Sequence, residues 1–398
     1  MQLAENIEFP STRCHAEGSI NVLCVGQGEN MHIIEPNLKR ADVSYVITDP
    51  GGALYEEFAP YLKAKGYQIR HLNFRNTADE NHYNFFDYIK NDNDIEKIVE
   101  VLVSNMPEYQ NSDHGFWKEA TRSLFCAFIA YLFHHANKED RNMSIVMQMI
   151  RNAQVKEDDE TLTSPVDTLF DNIENKETDF SYIQYQNLKM CTSKTLRSIL
   201  VTATAGMRIF DLDNVKELTN SDDLDLYSLT KEKTAIFIEL PLMDRSFDAL
   251  AEICCMQALQ VADAANNGEK APCVPCTFFL KDITRFHMLP KTVFDTIALN
   301  VNAFLFAQPC EIISRKKDPC WQRIINECFA VVCLGSREQT SELCQNFCLE
   351  WKIPKRRQTA KSKERGEIIL VHGKRPMFVN PYIPKEDADT PRQKINKL

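Results

Sequence analysis

The chain has 398 residues, of which 44% are hydrophobic and 26% charged, with a formal net charge of −10. That length exceeds what one hydrophobic core usually supports, so two folded units are expected. The acidic balance argues against a generally DNA-coated surface, and the longest apolar run, "SLFCAFIAYLF" at 123–133, is too short to cross a bilayer.

The opening residues, "MQLAENIEFP", are polar and acidic, so no signal peptide is expected. The first patterned stretch is 20–50, which reads as strand, glycine turn, short helix, strand. A helical pattern follows at 52–65, and a strand at 67–74. From about 92 to 209 no convincing strand appears. Amphipathic stretches at 93–105, 113–135, 142–152, 164–174 and 185–207 take its place. "SDHGFW" at 112–117 offers Ser112 or Asp113 as a helix cap. Strand-like runs then return at 234–240, 276–282, 303–308, 330–335 and 367–371, with a helical pattern at 246–265. Most of these runs are continuously apolar, which suits strands buried on both faces of a parallel sheet. The expected architecture is α/β, a mostly parallel sheet interrupted by an all-helical insert. The units are expected at 1–91, 92–209 and 210–398.

The glycine turn at 26–28 admits two nucleotide readings. As a dinucleotide fingerprint, Gly26 and Gly28 give G-x-G, and Asp49 closes the second strand where a ribose-binding acid belongs. Met31 occupies the third glycine position, however, and Pro36 falls where the helix should continue. As a P-loop, the turn needs lysine and Ser/Thr beside its glycines, to neutralise phosphate and hold magnesium. "VGQGENMHII" supplies neither, and Glu29 would place a negative charge there. Local chemistry alone therefore argues only for a turn.

Other candidates carry a bland reading beside the sharp one. "CTFFLKDITRF" at 276–286 ends an apolar run in Asp282, as a magnesium-holding strand does, but Asp282 could equally cap the next turn. "AFLFAQPC" ends in Gln308, which is either a γ-phosphate sensor or a structural hydrogen-bonding group. Cys273 and Cys276 have half-zinc spacing, but Cys344 and Cys348 are poorly spaced to complete it. With many of the fourteen cysteines inside apolar segments, such as Cys24, Cys126, Cys254, Cys255 and Cys333, buried thiols in a reducing cytosol are expected. "KIPKRRQTAKSKER" at 352–365 is a solvated loop or, through Lys355, Arg356 and Arg357, a contact to a phosphate backbone.

Several phrases together resemble the conjugative coupling proteins of type IV secretion systems, the TraG/TraD family, in its Gram-positive mobile-element form. "INVLCVGQGENMHIIEPNL" is similar to that family's first strand, Walker A loop and "KPNL" helix. "SYVITDPGGALYEEFAPYLKAKGYQIRHLNF" resembles its "T-D-P-K-G-E" block, and "HYNFFDYI" its "xYNPFxYI". "FWKEATRSLFCAFIAYL" looks like the first helix of its all-α insert. "TFFLKDITRFHMLP" falls on the Walker B segment and "AFLFAQ" on the next strand. The resemblance covers about 18–380 and implies a RecA-like P-loop NTPase fold, with ATP and magnesium as the family's cofactors.

The departures fall on the family's functional positions. The Walker A loop is about three residues shorter and lacks its lysine and its Ser/Thr. Gly51 and Ala53 stand where the "DPKGE" block has lysine and glutamate, and Ile283 where the catalytic glutamate would follow Asp282. The arginine-containing segment reads "IALNVN" at 297–302, and the family's N-terminal membrane helices have no counterpart. Charge stabilisation and positioning are nearly all of phosphoryl-transfer catalysis, so competent hydrolysis is not expected. The resemblance then implies a cytoplasmic pseudo-ATPase, reaching the inner face of the membrane only through partners. Those partners would be relaxase, secretion-system proteins or an intact ATPase paralogue. Gly26, Gly28, Asp49 and Gln308 would be nucleotide-site remnants and Asp282 a magnesium remnant, with no cofactor required. The alternatives are an active DNA-translocating ATPase with a non-standard cradle, a DNA-binding module on the basic run, and a decaying mobile-element copy.

Overall fold

The computed structural model describes residues 2–4, 7–8, 20–26, 31–76, 81–109, 115–153, 163–266, 273–295, 301–315, 317–334, 368–372 and 375–379. A short antiparallel pair opens the chain, β1 (Gln2–Ala4) with β2 (Ile7–Glu8). Then come β3 (Asn21–Gly26), α1 (Met31–Arg40), β4 (Ser44–Pro50), α2 (Ala53–Ala64) and β5 (Gln68–Asn73). Next, helices are the regular elements among the described residues: α3 (Asp92–Ser104), α4 (Gly115–His135), α5 (Met143–Asn152), α6 (Pro165–Asp171), α7 (Phe180–Lys189), α8 (Ser193–Gly206), α9 (Asp213–Asn220) and α10 (Ser228–Lys231), with short 3₁₀ turns between them. The chain re-enters the sheet at β6 (Thr234–Leu240). It continues through α11 (Asp248–Asn266), β7 (Cys276–Leu280), α12 (Leu289–Asp295), β8 (Val301–Ala307), α13 (Pro309–Ser314), α14 (Pro319–Glu327) and β9 (Ala330–Leu334) to β10 (Ile368–His372) and β11 (Arg375–Val379).

Nine strands form one sheet in the order β11-β10-β9-β3-β8-β7-β4-β6-β5. From β9 to β5 every pairing is parallel, while β10 and β11 close one side antiparallel. The continuous apolar runs have the expected cause: β4, β6 and β8 are buried at every position. Alternate residues feed two clusters. Val22, Cys24, Tyr45, Ile47, Phe237 and Phe304 pack on one face with Ile33, Leu38, Phe58 and Leu62 of α1 and α2. Leu23, Val46, Ile236 and Leu305 face the other way, in a cluster that runs without a break through α11, α3 and α4 into the helical stretch. The helices thus share their core with one face of the sheet.

Local chemistry explains most boundaries. Asn91 and Asn142 accept from Asp94 N–H and Ile145 N–H to start α3 and α5, and Ser164 with Asp167 forms a capping box at α6. Three expectations change. The helical pattern at 185–207 is two helices, with Asp179 capping α7 through Tyr182 N–H at 2.9 Å. The 164–174 pattern ends as a helix at Asp171. Pro36 does not stop α1, which runs through it to Arg40. Beside it, the Asn37 amide donates to Ile33 O at 2.6 Å and clasps the β1 backbone at Gln2, giving that turn substitute hydrogen bonds. Ser112 and Asp113 lie outside the described residues. Among the described residues no helix is long and apolar enough to cross a membrane.

Candidate functional site

Parallel strands share one carboxyl-terminal edge, where open α/β sheets bind ligands. Pairs such as Val25–Ala307, Leu280–Leu305, Thr48–Leu280 and Asp49–Glu239 fix the register across it. Along that edge stand, in spatial order, Gly26 ending β3, Gln308 after β8, Asp282 after β7, Asp49 on β4 and Glu239 on β6. The sheet therefore gathers Gly26, Asp49, Asp282 and Gln308 to one side, although they span most of the chain. Gly28, Lys355, Arg356 and Arg357 lie outside the described residues.

Asp49 is completely buried. One of its oxygens accepts from Tyr55 N–H at 2.8 Å; the other has no hydrogen-bond partner, and the Lys281 ammonium stands 3.9 Å from it. Burial pushes the carboxyl above its ordinary range, against the pull of the Tyr55 N–H and of Lys281. Thr48 Oγ1 donates to the Lys281 carbonyl at 3.0 Å, tying β4 to the root of that lysine. After Asp49 and Pro50, Gly51 and Gly52 take φ of 91° and 83°, the left-handed region open to glycine. A Cβ on Gly52 would stand 2.6 Å from the Glu239 carboxyl, so the turn admits only glycine there.

Glu239 is the centre of a network that no local pattern in the sequence marked. Its carboxylate takes His71 Nε2 at 3.0 Å and Arg75 Nη1 at 2.7 Å, and Arg75 also donates to Gly51 O at 2.8 Å. Tyr55 stacks on the His71 ring with centroids 3.5 Å apart. The two-glycine turn is thereby held from both sides.

Asp282 corrects one expectation. It occupies the cap position of the turn at Ile283–Arg285, with φ of 51°, yet its side chain makes no capping hydrogen bond. Burial first, then the nearby Glu311 charge, pushes its carboxyl up. Ile283, the next residue, is completely buried in the core. Gln308 opens α13, donating its N–H to Glu311 at 3.1 Å, and the same carboxylate oxygen accepts from Thr284 Oγ1 at 2.8 Å. Arg285, also unmarked by local pattern, is buried against Asp248 at 2.5 Å and donates to Pro241 O and Asp244 O, fixing the loop that follows β6.

A family model described as "Type IV secretory system Conjugative DNA transfer" matches residues 26–296. The chain belongs to this family. Solved structures agree in fold. The bacterial conjugative coupling protein TrwBdeltaN70, in its unbound form, is 14% identical with a TM-score of 0.55, over 91% of this chain and 78% of that one. TrwB in complex with the non-hydrolysable ATP analogue ADPNP is likewise 14% identical, with a TM-score of 0.52 over 93% and 80%. VirB4 of Thermoanaerobacter pseudethanolicus is 9% identical, with a TM-score of 0.51 over 94% and 92%. No curated protein sequence was found to match the chain. The fold is accordingly the RecA-like α/β fold, with β8 standing between β3 and β7.

Against that fold, the residues of this edge do not fit a magnesium–nucleotide complex. From Gly26 to Pro36 the chain has no lysine, serine or threonine. In the first turn of α1, Ile33 and Ile34 are buried in the core. Two of the charges that the edge does carry are already committed: Glu239 to His71 and Arg75, and Arg285 to Asp248.

Proposed function

We propose that this conjugative-transfer family member does not hydrolyse nucleotide and acts as a binding or regulatory subunit of the transfer machinery. The observation that carries the reading is Ile283. Hydrolases of this fold place a water-orienting carboxylate after the strand-end aspartate, and here that side chain is apolar and completely buried. The missing lysine and hydroxyl after Gly26 point the same way, because positioning and charge neutralisation are nearly all that catalyses phosphoryl transfer. The scaffold does not need those groups, so it persists without them. Gly26, Gly28, Asp49 and Gln308 are read as remnants of a nucleotide site and Asp282 as a remnant of its metal ligand. The helices near 92–209 are read as an insertion into the RecA-like unit. The candidate partners are relaxase, secretion-system proteins or an intact ATPase of the same family.

The test is magnesium-dependent ATP turnover by the purified full chain beside Asp282→Ala. The two are expected to match each other and the buffer background. Turnover that Asp282→Ala abolishes would overturn the reading and return the chain to the translocating ATPases.

A further inference from the structure

The geometry points to Lys281 as a tethered cation that takes the place of a divalent metal at the strand-end carboxylate Asp49. The inference rests on the non-hydrolysing reading above and says what replaced the ion. Asp49 has no exposed surface, and one of its oxygens is left without a hydrogen bond. A buried carboxylate in that condition calls for a cation. A divalent metal would need several oxygen ligands at about 2.0–2.6 Å with room for water. The group supplied here is the Lys281 ammonium, 3.9 Å from the orphaned oxygen and three-quarters buried.

The lysine is placed rather than loosely tethered. It follows β7 directly, its carbonyl is held by Thr48 Oγ1 from the neighbouring β4, and it immediately precedes Asp282. It therefore stands between the ends of two adjacent strands, each carrying a carboxylate. A cation fixed by a covalent stem neither dissociates nor responds to nucleotide. The edge is then held in one state, which suits a subunit that binds without turning over.

The experiment uses the full chain without nucleotide, reading Mn²⁺ binding as loss of the free-ion electron paramagnetic signal and, in parallel, the melting temperature. Lys281→Met is expected to melt below the natural chain, to bind about one more Mn²⁺ per chain, and to recover about 2 °C or more at saturating ion. Lys281→Arg, which keeps the charge, should bind no more than the natural chain. The double variant Lys281→Met/Asp49→Asn should lose the added ion. An equal Mn²⁺ count in Lys281→Met and the natural chain overturns the inference, as does an added ion that survives Asp49→Asn. If Lys281→Met does not fold, the double variant decides: folded protein supports the tethered cation, and unfolded protein overturns it. ATP turnover by the natural chain would overturn the earlier reading instead, and the Mn²⁺ count would still decide this one.

Discussion

Two regions bury aspartate and glutamate by opposite means. At the sheet edge the buried carboxylates are met by bases: Asp49 by Lys281, Glu239 by His71 and Arg75, Asp248 by Arg285. Where the helical stretch returns to the sheet, Asp222 meets the Tyr88 hydroxyl at 2.6 Å and the Asp225 N–H, with the Asp87 charge adding to its load. At the edge a cation stands against each of these carboxylates; at the return loop neutral donors face the acid, and burial pushes its carboxyl up to about 6. In the first arrangement the charges are part of the fold.

The largest effect should come from breaking a pair at the edge. Arg285→Ala leaves the buried Asp248 with only Arg245, at 3.3 Å, and frees the loop from Pro241 to Asp244, which should cost about 3–5 kcal/mol, read from urea midpoints. A carboxylate at position 283 should be nearly as damaging. Ile283→Glu places a carboxylate in a fully buried apolar position and should cost about 3 kcal/mol or more, with no ATP turnover gained. Turnover in that variant would show that the surrounding machinery had survived. Gly52→Ala comes next. A left-handed φ and a Cβ 2.6 Å from the Glu239 carboxyl should together cost about 2 kcal/mol, and Glu239→Gln should not relieve it, because the backbone conformation remains.

The same contrast sorts what could be read in the sequence. The buried strands were legible because short uninterrupted apolar runs between helical patterns suit strands covered on both faces, and Asp49 and Asp282 were legible because each ends such a run. Glu239 ends one too, but its partners His71 and Arg75 lie 168 and 164 residues earlier, beyond the reach of any local pattern. Arg285 and Asp248 are separated by 37 residues and meet only where the turn after β7 lies against the start of α11. The break between α7 and α8 was hidden for a different reason: the apolar spacing runs on through Cys191, and only the turn itself reveals the stop. The hairpin β1–β2 and strand β11 are too short or too mixed in composition to stand out.

The smallest effect should come from the return loop, and it has the opposite sign. Burial pushes the Asp222 carboxyl from 3.8 up to about 6, against the hydrogen bonds from the Tyr88 hydroxyl and Asp225 N–H. A carboxyl whose folded value lies above its unfolded value stabilises the fold while protonated. That contribution is fully present below about 3.8 and is lost as pH rises through about 6. At pH 7 the loop therefore carries a charge that it does not compensate. Asp222→Asn keeps an oxygen acceptor for Tyr88 and removes that charge, so it should raise stability at pH 7 by about 1 kcal/mol and leave it nearly unchanged at pH 4. Matched urea melts at the two pH values measure the difference. A variant destabilised equally at both would mean that Asp222 serves as a hydrogen-bond acceptor whose charge is already compensated, which would make the return loop resemble the sheet edge after all.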